Sequence, residues 1–411
     1  MRILHFSDVH IGVESYGTID QETGLSARLG DFLSTFDEVV EFAINKEVDL
    51  VLFAGDAYKS RDPSQTHQRE FAKRIARITQ AGVPVFLLVG NHDIPHISSR
   101  ATALEIFPTL SVPFVTVGDN LKTYRIETLS GVIQIIALPW IRRSTFLARD
   151  ETRSLNIEQI NQQLQERVTN LILREIDSLD ESIPAILTGH VSLNTAMTSS
   201  EQSMLLGRDP ILMQSTIANS KLDYVALGHI HKHQVLSYNP YIAYSGSLER
   251  VDFGEEKDTK GFCVVDIDPT GTQGNRLVGF NFQTVSARRF ITINVDVSVG
   301  DDPTEKTLLA ISKLDIRDCI VRVKITMPQE VEALLREDQI REKLVDAKFI
   351  TPIVKDVERS RRTRLGNITV EMLTTQEALE SYFKITKVDQ NRRKLLMRYA
   401  ENLINDEEID A

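Results

Sequence analysis

The 411-residue chain is poor in cysteine, with only Cys263 and Cys319, far apart and in no CxxC pattern. That excludes a disulfide framework and a structural zinc site, and fits a reducing, cytoplasmic setting. No apolar run reaches the ~18 residues that a membrane-crossing helix needs. Basic charge is also in short supply. There are 47 Lys and Arg against 58 Asp and Glu, a formal net charge of −11. Such a balance argues against a basic coat on nucleic acid or a membrane-surface protein, but leaves room for an enzyme that cuts nucleic acid. No internal repeat or long low-complexity stretch occurs. Residues 1–5 open directly into an apolar run, which predicts that there is no signal peptide.

What is present is enough apolar material for a sizeable core, 42% hydrophobic against 26% charged. The length suggests roughly two or three domains. Short runs rich in Val, Ile, Leu and Phe fall at residues 2–7, 49–54, 83–89, 132–138, 183–188, 223–227 and 261–268. Between them, residues 35–46, 66–80 and 157–178 carry apolar side chains at three- and four-residue spacing. This alternation predicts α/β layering, with helices covering sheets. Later, strand-like 290–297 and 319–326 are each followed by a helical pattern, 303–313 and 329–343, which predicts a small separate βαβα unit. Beyond Pro352 the chain turns polar, with four arginines in 359–364, then two helix-like segments at 375–384 and 388–405 and an acidic tail. From Lys355 to Arg398, 11 basic residues stand against 6 acidic ones, so the basic excess is gathered near the C-terminus.

The informative pattern is where the apolar runs stop. They end in Asp8-Val9-His10, Gly55-Asp56, Gly90-Asn91-His92-Asp93, Gly189-His190 and Gly228-His229-Ile230-His231. Five of the nine histidines fall in these sites. Taken singly, each is explained by a turn or a helix cap. Five in order at strand ends, where open α/β sheets gather their ligands, predict a shared site. Imidazole and carboxylate without thiolate suit divalent first-row metals. Asp8, His10, Asp56, Asn91, His190, His229 and His231 are too many ligands for one catalytic metal and suit two that share a bridging carboxylate. A metal pair can activate water and steady both oxygens of an in-line displacement at phosphorus. His92 is then left as the general acid, with Asp93 expected to orient its ring. His5, His67, His96 and His233 lack this context and are expected to be packed or surface histidines.

With these motifs the chain resembles the calcineurin-like metallophosphoesterase superfamily and, within it, the SbcD-type DNA double-strand-break repair exonucleases of the Mre nuclease family. The narrower signals are Ser7-Asp8-Val9-His10-Ile11-Gly12 and Tyr244-Ser245-Gly246-Ser247-Leu248-Glu249-Arg250 leading to Phe253-Gly254-Glu255-Glu256. The resemblance implies a four-layer α/β/β/α sandwich over residues 1–275, a small α+β capping domain at 285–350, a basic linker at 351–374 and a helix–loop–helix at 375–411. It implies two metal ions, manganese in this branch. Asp8, His10, Asp56 and His231 would hold one, and Asp56, Asn91, His190 and His229 the other. His92 matches the family's catalytic histidine. Lys59 stands where some relatives carry a second functional histidine, and Lys59, Arg61, Ser247 and Arg250 are candidate substrate contacts. DNA is the implied substrate, cut at ends or hairpins. A coiled-coil ABC ATPase of the SbcC type is the implied partner, docked through residues 375–405, with a homodimer as the assembly. Two alternatives remain open on the same core, a phosphodiesterase for cyclic nucleotides or other small molecules, and a non-catalytic DNA-end-binding scaffold. A protein phosphatase fits less well, because Gly55-Asp56-Ala57-Tyr58-Lys59 lacks the arginine expected soon after the bridging Asp.

Overall fold

The computed structural model describes the chain apart from residues 23, 96–99, 143–155, 199–210, 359–374 and 408–411. In chain order the strands of two packed sheets are β1 (Arg2–Phe6), β2 (Leu50–Phe53), β3 (Val85–Leu88), β4 (Val115–Gly118), β5 (Lys122–Thr128), β6 (Gly131–Leu138) and β7 (Ala185–His190). A short side pair, β8 (Ser192–Leu193) and β9 (Ile211–Leu212), precedes β10 (Tyr224–Gly228), β11 (Gln234–Tyr238), β12 (Tyr241–Tyr244), β13 (Gly261–Ile267) and β14 (Leu277–Thr284). One sheet runs β14-β13-β1-β2-β3-β4 and the other β11-β12-β10-β7-β6-β5.

Alternation of side chains across each strand sets the layers. Ile3, Leu50, Leu52, Phe86 and Leu88 enter a core shared with Ile133, Ile135, Ala137, Ile186 and Ala226 of the second sheet. Their neighbours Leu4, Phe6, Val51, Phe53 and Leu87 face the other way, against helices Ala27–Asn45 and Gln65–Gln80. On the far side, Ile136, Leu138, Leu187 and Val225 meet Leu164, Val168, Ile172 and Ile176 of helix Ile157–Asp177. Three cores between four layers make an α/β/β/α sandwich. Each of the three helices starts where a side chain satisfies its first N–H groups, from Ser26, Ser64 and Asn156 respectively.

A third sheet follows, built from β15 (Phe290–Asp296), β16 (Ile320–Pro328), β17 (Phe349–Ile350) and β18 (Val354–Glu358), all paired in parallel. Its own core joins Ile293, Val295, Val321, Val323 and Ile325 to Ile311 and Ile340 of helices Pro303–Ser312 and Glu337–Lys343. Helices Thr375–Ile385 and Gln390–Glu407 end the described chain. Among the described residues, no helix is long and apolar enough to cross a membrane.

Three local expectations differ. The first helix begins eight residues before Thr35, because the Arg28–Asp31 ion pair buries residues that look like polar loop. The segment expected as one helix at 329–343 splits into a 3-10 turn, Gln329–Leu334, and a separate helix from Glu337, with extended backbone at Leu335 and Arg336 between them. Residues 354–358, expected in the basic linker, pair with β16 instead. The arginine cluster 359–364 lies outside the described residues.

Candidate metal centre

Strands β1, β2, β3, β7 and β10 end at one edge of the sandwich, and the loops that follow them converge. The β1 and β2 loops continue their ladder beyond the sheet: Asp8 N–H donates to Gly55 O at 2.9 Å, His10 N–H to Asp56 O at 3.2 Å and Ile11 N–H to Ala57 O at 3.0 Å. Two glycines let the loops come this close. A Cβ on Gly90 would lie 2.4 Å from the Asp56 backbone nitrogen, and one on Gly228 would lie 2.2 Å from Ala54 O. Among the described residues ten non-glycine positions have positive φ, and Asp8, His10, Asp56 and His229 are four of them. Left-handed backbone at such residues persists only where the surroundings over-determine it, and it collects at functional sites.

The structure brings together all seven residues expected from the strand ends. Asp8, His10, Asp56, His190, His229 and His231 are buried, with Asn91 and His92 partly exposed beside them. Asp8 ties the sheets together by accepting the His229 N–H at 3.0 and 3.2 Å. Asn91 Oδ1 lies 2.9 Å from His190 Nε2 and 3.2 Å from His229 Nδ1. Asp56 Oδ2 is 3.3 Å from His190 Nε2, and Asp56 Oδ1 accepts the His92 N–H at 2.8 Å. Three groups could hold a metal ion, each with its ligand atoms within 4.8 Å of one another: Asp8–His10–His231, Asp8–Asp56–His190 and His10–Asp56–His92.

The proton inventory of this cluster is unbalanced. Oxygens that can only accept face three ring nitrogens: Tyr58 O at His10 Nδ1 (3.4 Å), Ala54 O at His190 Nδ1 (2.7 Å) and Glu255 Oε1 at His231 Nδ1 (2.7 Å). Each Nδ1 therefore carries the hydrogen, and in a neutral ring Nε2 keeps a lone pair. Yet His10 Nε2 and His231 Nε2 point at each other across 2.9 Å. His190 Nε2 points at oxygens, and buried His229 Nε2 has no partner. The opposed Nε2 atoms of His10 and His231, with the orphaned His229 nitrogen beside them, fit a bound cation. With protein groups alone the titrations pull apart. Burial pushes His229 down to about 3 and Asp8 up to about 6. Burial works against charge on His190 too, but the Asp56 carboxylate wins and raises it to about 9.

Several expected roles are corrected. Asp93 does not orient the His92 ring: its carboxylate accepts the backbone N–H groups of Gly90, Asp56 and Ala57, each at 2.9 Å, so it shapes the loop beneath Asp56. The His92 ring is held instead by Lys59 O, 2.7 Å from Nδ1. Ser247 is fully buried and bonded to Lys260 Nζ at 2.8 Å and to Glu249 O, so it has no surface to offer a substrate. Arg250 donates to Ala287 O, Arg288 O and Asp258 O, which commits its guanidinium to the fold. Lys59 and Arg61, with Asp62, Arg100 and His92, line an open cavity of about 520 Å³, in which Arg100 lies 3.6 Å from the Asp62 carboxylate. Of the other histidines, His5 is buried against the Tyr224 hydroxyl (2.9 Å) and His233 stacks on Phe282 with ring centroids 3.8 Å apart. His67 is partly exposed on helix Gln65–Gln80, and His96 lies outside the described residues.

Sequence reasoning gave no role to Glu255, although it is the hydrogen-bond partner of His231, or to Trp140, whose ring lies 5.0 Å from that of His229. Glu255 sits inside a quoted motif, and a glutamate in a loop reads as solvated until its buried partner, Lys260, is seen.

The calcineurin-like phosphoesterase profile matches residues 1–233, which contain every one of these strand ends. The chain belongs to the calcineurin-like phosphoesterase family. Members are metal-dependent hydrolases, and this phosphoesterase presents a His/Asp group able to bind divalent metal. It is similar to the DNA double-strand break repair protein Mre11 of Haloferax volcanii, 24% identical over 429 residues, covering 99% of this chain and 82% of that one. It is also similar to the uncharacterised metallophosphoesterase YhaO of Bacillus subtilis, 25% identical over 394 residues with 90% and 84% covered. The SbcD component of the nuclease SbcCD of Escherichia coli K12 is 23% identical over 262 residues, with 62% of each chain covered.

Proposed function

We propose that this phosphoesterase hydrolyses DNA phosphodiester bonds, at ends or hairpins, as the nuclease subunit of an SbcC–SbcD-like repair complex. The convergence of unbalanced imidazole and carboxylate acceptors at the strand ends carries the hydrolytic part of this reading. Similarity to proteins named as repair nucleases supports the choice of DNA. Two divalent ions, Mn²⁺ in this reading, would be held by Asp8, His10, Asp56 and His231 and by Asp56, Asn91, His190 and His229, with Asp56 shared. When bound they would supply the charge that activates water and steadies the oxygens around phosphorus.

The chain's own residues do the rest. Lys59 O holds the His92 ring through Nδ1–H and aims Nε2 at the departing sugar oxygen; Nε2 carries a proton to give only in the imidazolium form, which burial disfavours and the neighbouring Asp56 carboxylate favours. Asp93 keeps the 90–93 and 55–57 loops in register, so Asp56 and His92 stay a hydrogen bond apart. Lys59, Arg61 and Arg100 in the adjoining cavity would meet the neighbouring phosphates, which gives an acidic protein a local basic contact with DNA. For a partner ATPase, the terminal helices offer half-exposed Tyr382, Leu395 and Tyr399.

Incubation with Mn²⁺ and linear duplex DNA, hairpin DNA or a cyclic dinucleotide tests the substrate class. Cleavage of DNA that a His92→Ala variant fails to reproduce is the expected result. Consumption of the cyclic dinucleotide alone would turn the reading to a small-molecule phosphodiesterase. Truncation near residue 370 is expected to keep Mn²⁺-dependent cleavage and to abolish co-purification with the ATPase. A homodimer belongs to the same reading, and sedimentation of the purified chain at twice its own mass is the expected result.

A further inference from the structure

Between β12 and β13, residues 245–260 run from the metal centre to the third sheet with neighbouring side chains committed in opposite directions. Glu255 faces inward, its Oε1 2.7 Å from His231 Nδ1 and its Oε2 2.7 Å from Lys260 Nζ. Both side chains of this ion pair are wholly buried. Lys260 also donates to His231 O at 3.1 Å, so the pair grips the histidine by ring and backbone alike. Glu256, the next residue, faces outward to β15, where its carboxylate accepts the Thr292 N–H at 2.8 Å and the Thr292 hydroxyl at 2.6 Å.

Phe253, in the same 3-10 turn, packs with Phe290 and Ile320 of the third sheet, and Arg322 lies 4.1 Å above its ring. Upstream, the buried Glu249 carboxylate accepts the Arg288 N–H at 2.9 Å, while Arg250 donates to Arg288 O at 3.0 Å. One short turn is thus anchored on His231 at one side and on the third sheet at the other. Its middle contains no slack: Asp252 caps the turn, and Val251 N–H bonds to Glu255.

We propose that residues 247–260 are a strap that couples the seating of the third sheet to the metal centre, with Glu255 as the residue that positions His231. A carboxylate on Nδ1–H fixes the ring's tautomer and orientation and makes Nε2 a stronger ligand. A shift of β15 would pull on Glu256, and through one peptide bond it would turn Glu255 and the His231 ring. Cap and centre then bias each other's arrangement, as two ends of one packed element must. The inference rests on the metal-centre reading proposed above.

Mn²⁺ affinity of the full-length protein, measured by isothermal titration calorimetry, tests it, with thermal unfolding of the metal-free protein followed alongside. A wild-type chain that takes up no Mn²⁺ would overturn the metal-centre reading itself. Given wild-type binding, Glu255→Gln is expected to bind about 10- to 100-fold more weakly. Because Glu255→Gln leaves the buried Lys260 ammonium with only the more distant Asp258 carboxylate, 3.9 Å away, the double variant Glu255→Gln/Lys260→Met is made as well. It is expected to recover stability but not affinity. Recovery of both would make Glu255 a structural residue only and sink its positioning role. Glu256→Ala removes both of the strap's bonds to Thr292 while leaving Glu255, Lys260 and His231 in place, and is expected to weaken Mn²⁺ roughly two- to thirtyfold at unchanged stoichiometry. Wild-type affinity in Glu256→Ala would overturn the coupling.

Discussion

The strand-end cluster and the C-terminal helices break opposite halves of the burial rule. At the strand ends, Asp8, His10, Asp56, His190 and His231 are polar groups at most 3% exposed to solvent. Along residues 375–400 the position is reversed, for not one described side chain is buried, and Tyr382, Leu395 and Tyr399 are 43%, 51% and 60% exposed. Buried polar groups are costly unless partnered, and apolar side chains gathered on one exposed face mark an interaction surface. In the reading proposed above, the first breach is answered by a small hard charge and the second by an apolar surface of a partner. The scaffolds differ to match. Two sheets and three helices hold the cluster, whereas the terminal helices pack chiefly on each other among the described elements, and the 11-residue Thr375–Ile385 is too short to be stable alone.

The largest expected effect falls in the cluster. Loss of a general acid costs about 10²- to 10⁴-fold, so His92→Ala is expected to lower Mn²⁺-dependent cleavage by that much while leaving Mn²⁺ binding intact. Because His92 also lies within ligand reach of His10 and Asp56, binding and rate falling together would move it into the ligand set. Next comes the scaffold. Phe71 is fully buried with its ring against Phe36, Phe53 and Tyr58, and Phe71→Ala is expected to cost about 3–5 kcal/mol in urea unfolding. A value near zero would mean that the sandwich does not hold its loops as rigidly as its packing indicates.

Metal addition gives the third contrast. Mn²⁺ at a hundred times its Kd is expected to stabilise the sandwich by about 2.7 kcal/mol for each ion bound, raising its melting transition. The amide protection of residues 375–400 in hydrogen exchange is expected to stay unchanged. Protection rising in both regions would show that they are one cooperative unit, and the contrast would fail.

How far each region could be read from sequence follows the same physics. The cluster was legible because Asp8-x-His10 and His229-x-His231 place costly side chains where a turn needs none, and only a ligand explains the set. The buried parallel strands were legible as unbroken apolar runs, to within a residue or two at Leu50–Phe53 and Tyr224–Gly228. Half-exposed antiparallel strands such as Lys122–Thr128 and Leu277–Thr284 carry too few apolar residues to stand out. Asp93, Ser247, Arg250 and Glu255 were misread or passed over for another reason. Their partners are backbone groups or a distant lysine, and a sequence records the polar side chain but not the buried donor or acceptor it meets. The strap to the third sheet was invisible for the same cause, since Glu255 and Glu256 are chemically identical neighbours whose directions only the turn decides.

The smallest effect on the isolated chain is expected at Tyr399, and it is the sharpest test of the contrast. Its ring is 60% exposed, so Tyr399→Ala removes little packing and is expected to change unfolding free energy by no more than about 0.5 kcal/mol. If the helices are built to be covered, the same substitution removes an aromatic anchor from an interface, where a hot-spot residue is worth about 2 kcal/mol or more. Binding of the coiled-coil ATPase, measured by titration, is then expected to weaken by at least about 30-fold while Mn²⁺ affinity and DNA cleavage by the isolated chain stay at wild-type values. An ATPase that binds Tyr399→Ala as tightly as wild type would leave the exposed apolar face without its proposed cover. A loss of cleavage by the isolated chain would mean that the helices act on the catalytic sandwich after all, and the two regions could no longer be treated as separate breaches of one rule.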